Sequence, residues 1–214
     1  MKKITPFVVA LFFLNNLVAQ TKISGVTLPA KLGFAGTTRE LNGAGVRTKY
    51  FVKVYVAGLY LKEKSKDPQA IINDDKPMSI RLQIISSMLT NDVMIKYIRE
   101  GFSRSLAGKT EPYKEHLDLI CEVFSSEPTK VGDVYDIHYT PGLGISASKN
   151  GKPYMFKNVK NKLGKPYGIL LHLKNTKEGQ DVLPGIGFKK GLFGIWLSND
   201  PVDVPLKEGM LGIK

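Results

Sequence analysis

The pattern of apolar and polar residues predicts strands toward both ends of the chain and helices between them. Residues 50–61 (YFVKVYVAGLYL) are rich in β-branched and aromatic side chains and are largely apolar on both faces, which is typical of a strand deep in a sheet. The upstream Asn42-Gly43 pair is a strong tight-turn signal and predicts a hairpin before this strand. Residues 79–86 and 134–140 alternate between apolar and polar positions and predict further strands.

After the strand predicted at residues 79–86, apolar residues recur at the spacing of a helix. Thr90 suits an N-cap, and apolar residues recur at helical intervals from there to Gly108; a second amphipathic helix begins near Pro112. Residues 188–197 are apolar and interrupted by glycine, and periodicity alone cannot assign them, whereas residues 203–210 predict a short C-terminal helix. Strands, then helices, then strands predict an α+β domain, in which a large antiparallel sheet carries helices on one face and a cleft lies between the layers.

The first residues have the features of an export signal. Lysines follow Met1, residues 7–14 are an unbroken apolar run, and Ala19 is a small residue before a cleavage point at Gln20. The run is shorter than the roughly 20 residues that span a bilayer, which argues against a membrane anchor. The sequence therefore predicts a signal peptide over 1–19, one domain over 20–214, and a periplasmic or secreted protein.

The net charge of the chain, taken with its predicted export, limits the classes of partner that we expect. Lys and Arg total 31 against 19 Asp and Glu, for a net charge of +12, but an exported protein rarely meets DNA, so we expect no nucleic-acid partner. The segment 149–165 contains six lysines and no acid. It is expected to belong to an extra solvated hairpin at about 152–183; the alternative is a basic lip that makes peripheral contact with an anionic membrane surface.

The sequence motifs predict neither a metal site nor a cofactor. The chain has no GxSxG, HExxH, Walker or GxGxxG sequence, and its three histidines fall on separate predicted elements. Cys121 lies on the apolar stripe of a predicted helix and is expected to be a core residue. The oligomeric state is not predicted.

A candidate anion site lies at the long strand. Arg47 stands near the entrance of the strand and Tyr55 lies eight positions later, in an apolar setting. A guanidinium and a phenol together can hold a carboxylate or an enolate. The alternative is a solvent-facing Arg47 and a core Tyr55, and spacing alone does not place the two on one face.

Three segments resemble the chalcone isomerase-like family. They are residues 42–47 (NGAGVR) with the strand that follows, residues 131–144 (VGDVYDIHYTPGLG), and residues 191–207 (GLFGIWLSNDPVDVPLK). The resemblance implies an open-faced β-sandwich, a large antiparallel sheet with helices packed on it. This agrees with the α+β prediction.

The resemblance also implies roles for individual residues. Arg47 falls on the arginine that stabilises the substrate anion in chalcone isomerase and holds the carboxylate in fatty-acid-binding relatives. Tyr55 falls where chalcone isomerase has a threonine and the fatty-acid-binding branch a tyrosine, and Tyr113 matches an active-site tyrosine. The asparagine expected seven residues later is Ile120, and an expected threonine falls near Gly187.

Three functions follow from this comparison. The first is an exported, non-catalytic protein that binds a fatty acid or similar amphipathic carboxylate through Arg47, Tyr55 and Tyr113. The second is an intramolecular lyase that acts on a phenolic enone, with Arg47 as its electrophilic group. The third is a periplasmic interaction module without a ligand, for which a closed cleft would be evidence.

Overall fold

A curled antiparallel sheet forms the centre of the fold, and the α+β prediction is confirmed. The computed structural model describes residues 20–142, 144–153 and 184–213. Seven strands follow chain order, β3-β4-β5-β6-β7-β8-β9, beside a two-stranded β1-β2 hairpin. The strands are β1 (Thr21–Ile23), β2 (Val26–Leu28), β3 (Lys31–Phe34), β4 (Thr37–Lys49), β5 (Val52–Leu61), β6 (Met78–Ile84), β7 (Val134–Thr140), β8 (Gly144–Lys149) and β9 (Lys152–Pro153).

Five helices accompany the sheet in the described part of the chain. They are α1 (Pro68–Asn73), α2 (Asn91–Ser105), α3 (Lys114–Ser125), α4 (Pro184–Leu197) and α5 (Val204–Met210), with a 3₁₀ turn at Glu111–Tyr113. The Thr90 hydroxyl accepts a hydrogen bond from Val93 N, as the sequence predicts for the N-cap of α2. The ambiguous segment 188–197 belongs to α4, whose glycines allow close contact with α2. The signal peptide over 1–19 and most of the predicted hairpin at 152–183 lie outside the described residues.

The hairpin turn lies at Tyr50-Phe51 and not at Asn42-Gly43. Both turn residues have positive φ, 47° and 65°, and β4 continues through Asn42 with a bulge between Leu41 and Gly43. The Asn42 amide donates to Ser65 O at 2.9 Å and to Met210 O at 3.0 Å, contacts that fix it within the strand. The predicted turn is wrong because the Asn42 side chain is hydrogen-bonded to Ser65 and Met210, which are distant in sequence and hold Asn42 in the strand.

The glycines beyond Asn42 allow α5 to lie directly on β4. A Cβ at Gly43 would stand 2.7 Å from both Gly212 N and Met210 O, and one at Gly45 would stand 2.7 Å from Leu206 O. Such distances are shorter than a side-chain carbon tolerates, so only glycine permits this backbone approach. The Asn42-Gly43 pair therefore lies at a β-bulge on which α5 packs, and not at a hairpin turn.

The two faces of the sheet have different interiors. The helix-facing side carries the main apolar core, which includes buried Phe102, Phe124 and Cys121; burial raises the pKa of the Cys121 thiol to about 11, as suits the predicted core residue. On the other side, Val56 packs against the β1-β2 hairpin. The sheet curls so far that the ring of Phe34 on β3 stacks on His138 of β7 at 4.2 Å between centroids.

Replacing Gly43 with alanine should destabilise the protein. The added methyl group collides with backbone atoms of the α5 C-terminus that cannot rotate away, and overpacking of this kind costs about 1 to 3 kcal/mol. Gly33→Ala is the matched control, because a Cβ there meets nothing within 4 Å on the same sheet. Urea denaturation of both variants provides the measurement, and equal midpoints would contradict the docking role of Gly43.

Candidate functional site

Arg47 and Tyr55 lie opposite each other on neighbouring strands and face the helix layer. They are Cα partners in the β4-β5 ladder, where Val54 is the extra residue of a second bulge between Arg47 and Thr48. Arg47 is 5% exposed and Tyr55 is 3% exposed. The sequence prediction that these two side chains meet agrees with this geometry, whereas the alternative of a solvent-facing Arg47 is wrong.

Aromatic rings surround the Arg47 guanidinium. Its Cζ lies 4.4 Å from the ring centroid of Tyr97 on α2 and 5.8 Å from that of Tyr55. Cation–π contacts of this kind stabilise a buried cation by up to about 2 kcal/mol. The contact with Tyr97 joins the sheet to the helix layer at the site.

The Tyr55 hydroxyl is held by Trp196 on α4. The indole Nε1 donates to the Tyr55 oxygen at 3.0 Å, and because an indole is only a donor, the phenol proton remains free to be donated elsewhere. Burial raises the pKa of Tyr55, and the nearby Arg47 and Trp196 offset part of that rise. The phenol is therefore protonated at neutral pH and is a hydrogen-bond donor beside a guanidinium.

Arg47 lacks a counterion among the described residues. Its Nε has no hydrogen-bond partner, and no carboxylate in the described part of the chain stands within 4.0 Å of the guanidinium. Asp203, whose charge acts on Tyr55, accepts instead from Leu206 N at 2.9 Å and Thr48 N at 3.2 Å. Burying a cation without an anion is costly, so the site favours an anion from outside.

Arg39 shows how this fold satisfies an arginine with a structural role. It is fully buried, and its two terminal nitrogens donate to four acceptors at 3.1 to 3.2 Å, which are Phe34 O, Thr37 O, Tyr139 O and Thr140 Oγ1. These bonds tie β4 to β7 across the curl of the sheet. The Nε of Arg39, like that of Arg47, has no partner, but the terminal nitrogens of Arg47 have no comparable set of acceptors.

Helix α4 is fixed so that Trp196 reaches Tyr55. The Ser105 hydroxyl of α2 donates to Gly191 O at 2.6 Å, and a Cβ at Gly191 would lie 2.5 Å from the Phe102 ring. Two residues before Gly191, the buried Lys189 ammonium donates to Ile71 O at 2.9 Å and also to Asp74 O, which ties α4 to α1 and the residue after it. Burial lowers the pKa of Lys189 to about 8.

Tyr113, the third predicted site residue, belongs to a different cluster. Its ring centroid lies 6.0 Å from that of Phe102 and 6.1 Å from that of Phe188, and its hydroxyl occupies the space that a Cβ on Gly187 would need. Its described contacts do not include Arg47 or Tyr55. Ile120, at the position of the family's asparagine, is fully buried in the core.

Tyr97 and Trp196 also contact the pair of Arg47 and Tyr55, and the sequence did not predict either as a site residue. Tyr97 looked like one more apolar position on an amphipathic helix, and Trp196 looked like part of an apolar segment of undetermined structure. The position of Trp196 within the family-like C-terminal motif was the available signal. Contacts between the sheet and the helix layer, which local sequence patterns do not predict, place Tyr97 beside Arg47 and Trp196 beside Tyr55.

The predicted cleft between sheet and helices is closed at Arg47. A described pocket of about 390 Å³ lies elsewhere, at the Leu61/Met78 end of the β5-β6 pair. It is lined by Leu61, Lys62, Glu63, Lys64, Ser65, Ala70, Ile71, Asp74, Lys76, Pro77 and Met78. Because Arg47 and Tyr55 are both buried, an anion can reach the guanidinium only if the side chains around it move.

The described residues contain no group of side chains suited to hold a metal ion. His138 is buried against Phe34 and shares a 2.7 Å hydrogen bond with Ser79, His116 lies on α3, and His172 lies outside the described residues. Burial lowers the pKa of His138 to about 4. This histidine is neutral in the folded protein and has a structural position.

Replacing Arg47 with methionine should change stability far less than replacing Arg39 with methionine. Arg39→Met leaves buried carbonyls without donors, which costs roughly 3 kcal/mol or more. Arg47→Met loses the ring contacts but removes an uncompensated buried charge, so we expect a change within about 1 kcal/mol. Thermal unfolding of the two variants provides the comparison, and equal losses would show that Arg47 has a structural role.

Comparisons with known proteins agree with this architecture. The profile of the chalcone isomerase-like family matches residues 20–163 and 157–212. A comparison with curated proteins found no match. Among solved structures, the chain resembles the fatty-acid binding protein AtFAP1 of Arabidopsis thaliana, with a TM-score of 0.62 and 16% identity over 90% of this chain and 96% of that chain. The family match covers nearly the whole chain, and this protein therefore belongs to the chalcone isomerase-like family.

Proposed function

We propose that this protein binds a fatty acid or a similar amphipathic carboxylate, with Arg47 and Tyr55 as the ligands of the carboxylate. The observation that carries the proposal is the Arg47 guanidinium, which is buried among aromatic rings and has no carboxylate partner among the described residues. A carboxylate supplies the missing negative charge and accepts from both the guanidinium and the Tyr55 hydroxyl. The similarity of the fold to a fatty-acid binding protein supports the same class of ligand.

The aliphatic part of the ligand needs an apolar environment next to this pair. Met94 and Ile98 on α2 and Ile84 on β6 belong to the core that also contains Tyr55, and Ile84 is its Cα partner in the β5-β6 ladder. An acyl chain that separates α2 from the sheet would contact these side chains. Binding is therefore expected to be coupled to movement of α2, because the site is closed without it.

A ligand-free interaction module is the competing function, and the closed cleft agrees with it. The lack of a carboxylate partner for Arg47 among the described residues favours the binding protein, because burying a cation without an anion is a cost to a purely structural interior. Only the binding protein is expected to recognise a carboxylate, so titration with a carboxylate ligand distinguishes the two functions.

Arg47→Met should weaken binding of oleate by roughly 10- to 150-fold, which corresponds to about 1.5 to 3 kcal/mol for a charge-assisted hydrogen bond. Isothermal titration with oleate and with methyl oleate isolates the headgroup, since the ester has the same chain and no charge. The wild type should prefer oleate, and Arg47→Met should remove that preference. Trp196→Phe keeps an aromatic ring without the N–H and should weaken oleate binding by about 2- to 10-fold.

Tyr113→Phe is the matched control in the same titration. The described contacts of Tyr113 lie away from Arg47, so we expect its hydroxyl to leave the preference for oleate unchanged. Equal binding of oleate and methyl oleate by the wild type would contradict carboxylate recognition. The absence of any binding would favour the interaction module.

We also propose that the protein is exported to the periplasm or secreted after cleavage before Gln20. The family match begins at residue 20, which agrees with a domain that starts where the signal peptide ends. No helix within the described ranges is both long and apolar enough to cross a bilayer. The intact mass of protein recovered from an exporting host should correspond to a chain that begins at Gln20, and a mass that retains residues 1–19 would contradict cleavage.

A further inference from the structure

We infer that the tip of the β4-β5 hairpin docks this protein on an anionic lipid surface, with Tyr50 and Phe51 as the inserting side chains. The tip is the two-residue turn between Lys49 and Val52, which are Cα partners in the ladder. Tyr50 is 77% exposed and Phe51 is completely exposed. This inference concerns a surface outside the carboxylate site and does not depend on the identity of the ligand.

The backbone of the tip is unfavourable for aromatic residues. Both Tyr50 and Phe51 have φ in the left-handed region, where a Cβ clashes with the backbone and where Asn-Gly is the preferred pair. Burial does not compensate for that strain, because neither ring is buried. Strain at an exposed position indicates a role that the folded monomer alone does not explain.

Other exposed apolar side chains lie at the same end of the sheet. The pairs Tyr55 with Ile84 and Gln83 with Val134 place the loop after β6 and the loop before β7 beside the start of β5. Among large apolar side chains exposed in the described part, five of six belong to this end, and only Ile213 lies apart. The five are Tyr50, Phe51, Met88, Val131 and Val204, the last next to Asp203, which accepts from Thr48 N.

Lysines lie among these exposed apolar side chains and indicate that the partner is anionic. Lys49 and Lys53 flank the tip, with Lys49 Nζ 4.9 Å from the Tyr50 ring centroid, and the exposed Lys130 precedes Val131. Exposed aromatic rings between lysines match an interface of acyl chains and anionic headgroups, since the rings insert and the ammonium groups bind phosphate. An apolar protein surface would leave these charges without partners.

The tip is continuous with the carboxylate site. Tyr97, which stacks on Arg47, also lies 5.7 Å from Lys49 Nζ. A membrane contact at the tip would therefore act on the residues that close the site. Lys49 at the tip and Arg47 in the interior thus share one aromatic neighbour.

The test is flotation of the full chain with vesicles of phosphatidylcholine alone or with roughly 30% phosphatidylglycerol. Wild type should bind the anionic vesicles. The double variant Tyr50→Asn, Phe51→Gly places favourable residues in the same turn, so it should fold at least as stably yet bind at least about tenfold more weakly. Ile213→Asn removes an exposed apolar side chain from outside the surface and should bind as the wild type does.

Two further variants separate the parts of the proposal. Lys49→Gln with Lys53→Gln should reduce the preference for anionic vesicles, and an indole introduced by Phe51→Trp should be quenched by brominated lipid. Arg47→Met should retain vesicle binding. The carboxylate proposal and the docking proposal can therefore be contradicted independently of each other. The inference is overturned if wild type does not bind anionic vesicles, or if the turn variant binds as tightly as wild type.

Discussion

The close approach of α5 to β4 is the constraint on which the arrangement of the site depends. Because Gly43 and Gly45 lack side chains, the backbone of the last helix lies directly on the strand. The strand therefore cannot turn at Asn42, and it continues to Lys49. That extension brings Arg47 into the sheet interior and moves the hairpin turn to two aromatic residues at the surface.

A second irregularity in the same hairpin determines the partner of Arg47. Without the bulge at Val54, a two-residue turn at Tyr50-Phe51 would pair Arg47 with Val54 and leave Tyr55 on the opposite face, because side chains alternate along a strand. The bulge shifts the register by one residue, so that Arg47 and Tyr55 are Cα partners. Bulges often direct side chains next to functional sites, and here one creates a paired donor set.

The electrostatics of the interior distinguish the two buried arginines. The Nε of each has no partner, but the terminal nitrogens of Arg39 donate to acceptors that close the curl of the sheet, whereas the Arg47 guanidinium is surrounded by aromatic rings. A protein tolerates such a charge at some cost in stability when function requires it. The indole of Trp196 donates to the Tyr55 oxygen and orients the hydroxyl, so that the phenol proton remains to be donated elsewhere.

The sequence by itself determined the elements with strong local signals. The cap at Thr90 and the strand at Val134–Thr140 follow from capping chemistry and alternation, and the family-like motifs identified the fold, Arg47 and Tyr55. The helix predicted to end at Gly108 ends at Ser105, and Gly108 with its positive φ lies in the turn that follows. Only the tertiary structure decided the position of the hairpin turn, the face shared by Arg47 and Tyr55, and the roles of Tyr97 and Trp196. Local patterns do not contain these facts, because α5 excludes a turn at Asn42, a bulge alters the period of a strand, and residues distant in sequence complete the surroundings of a buried charge.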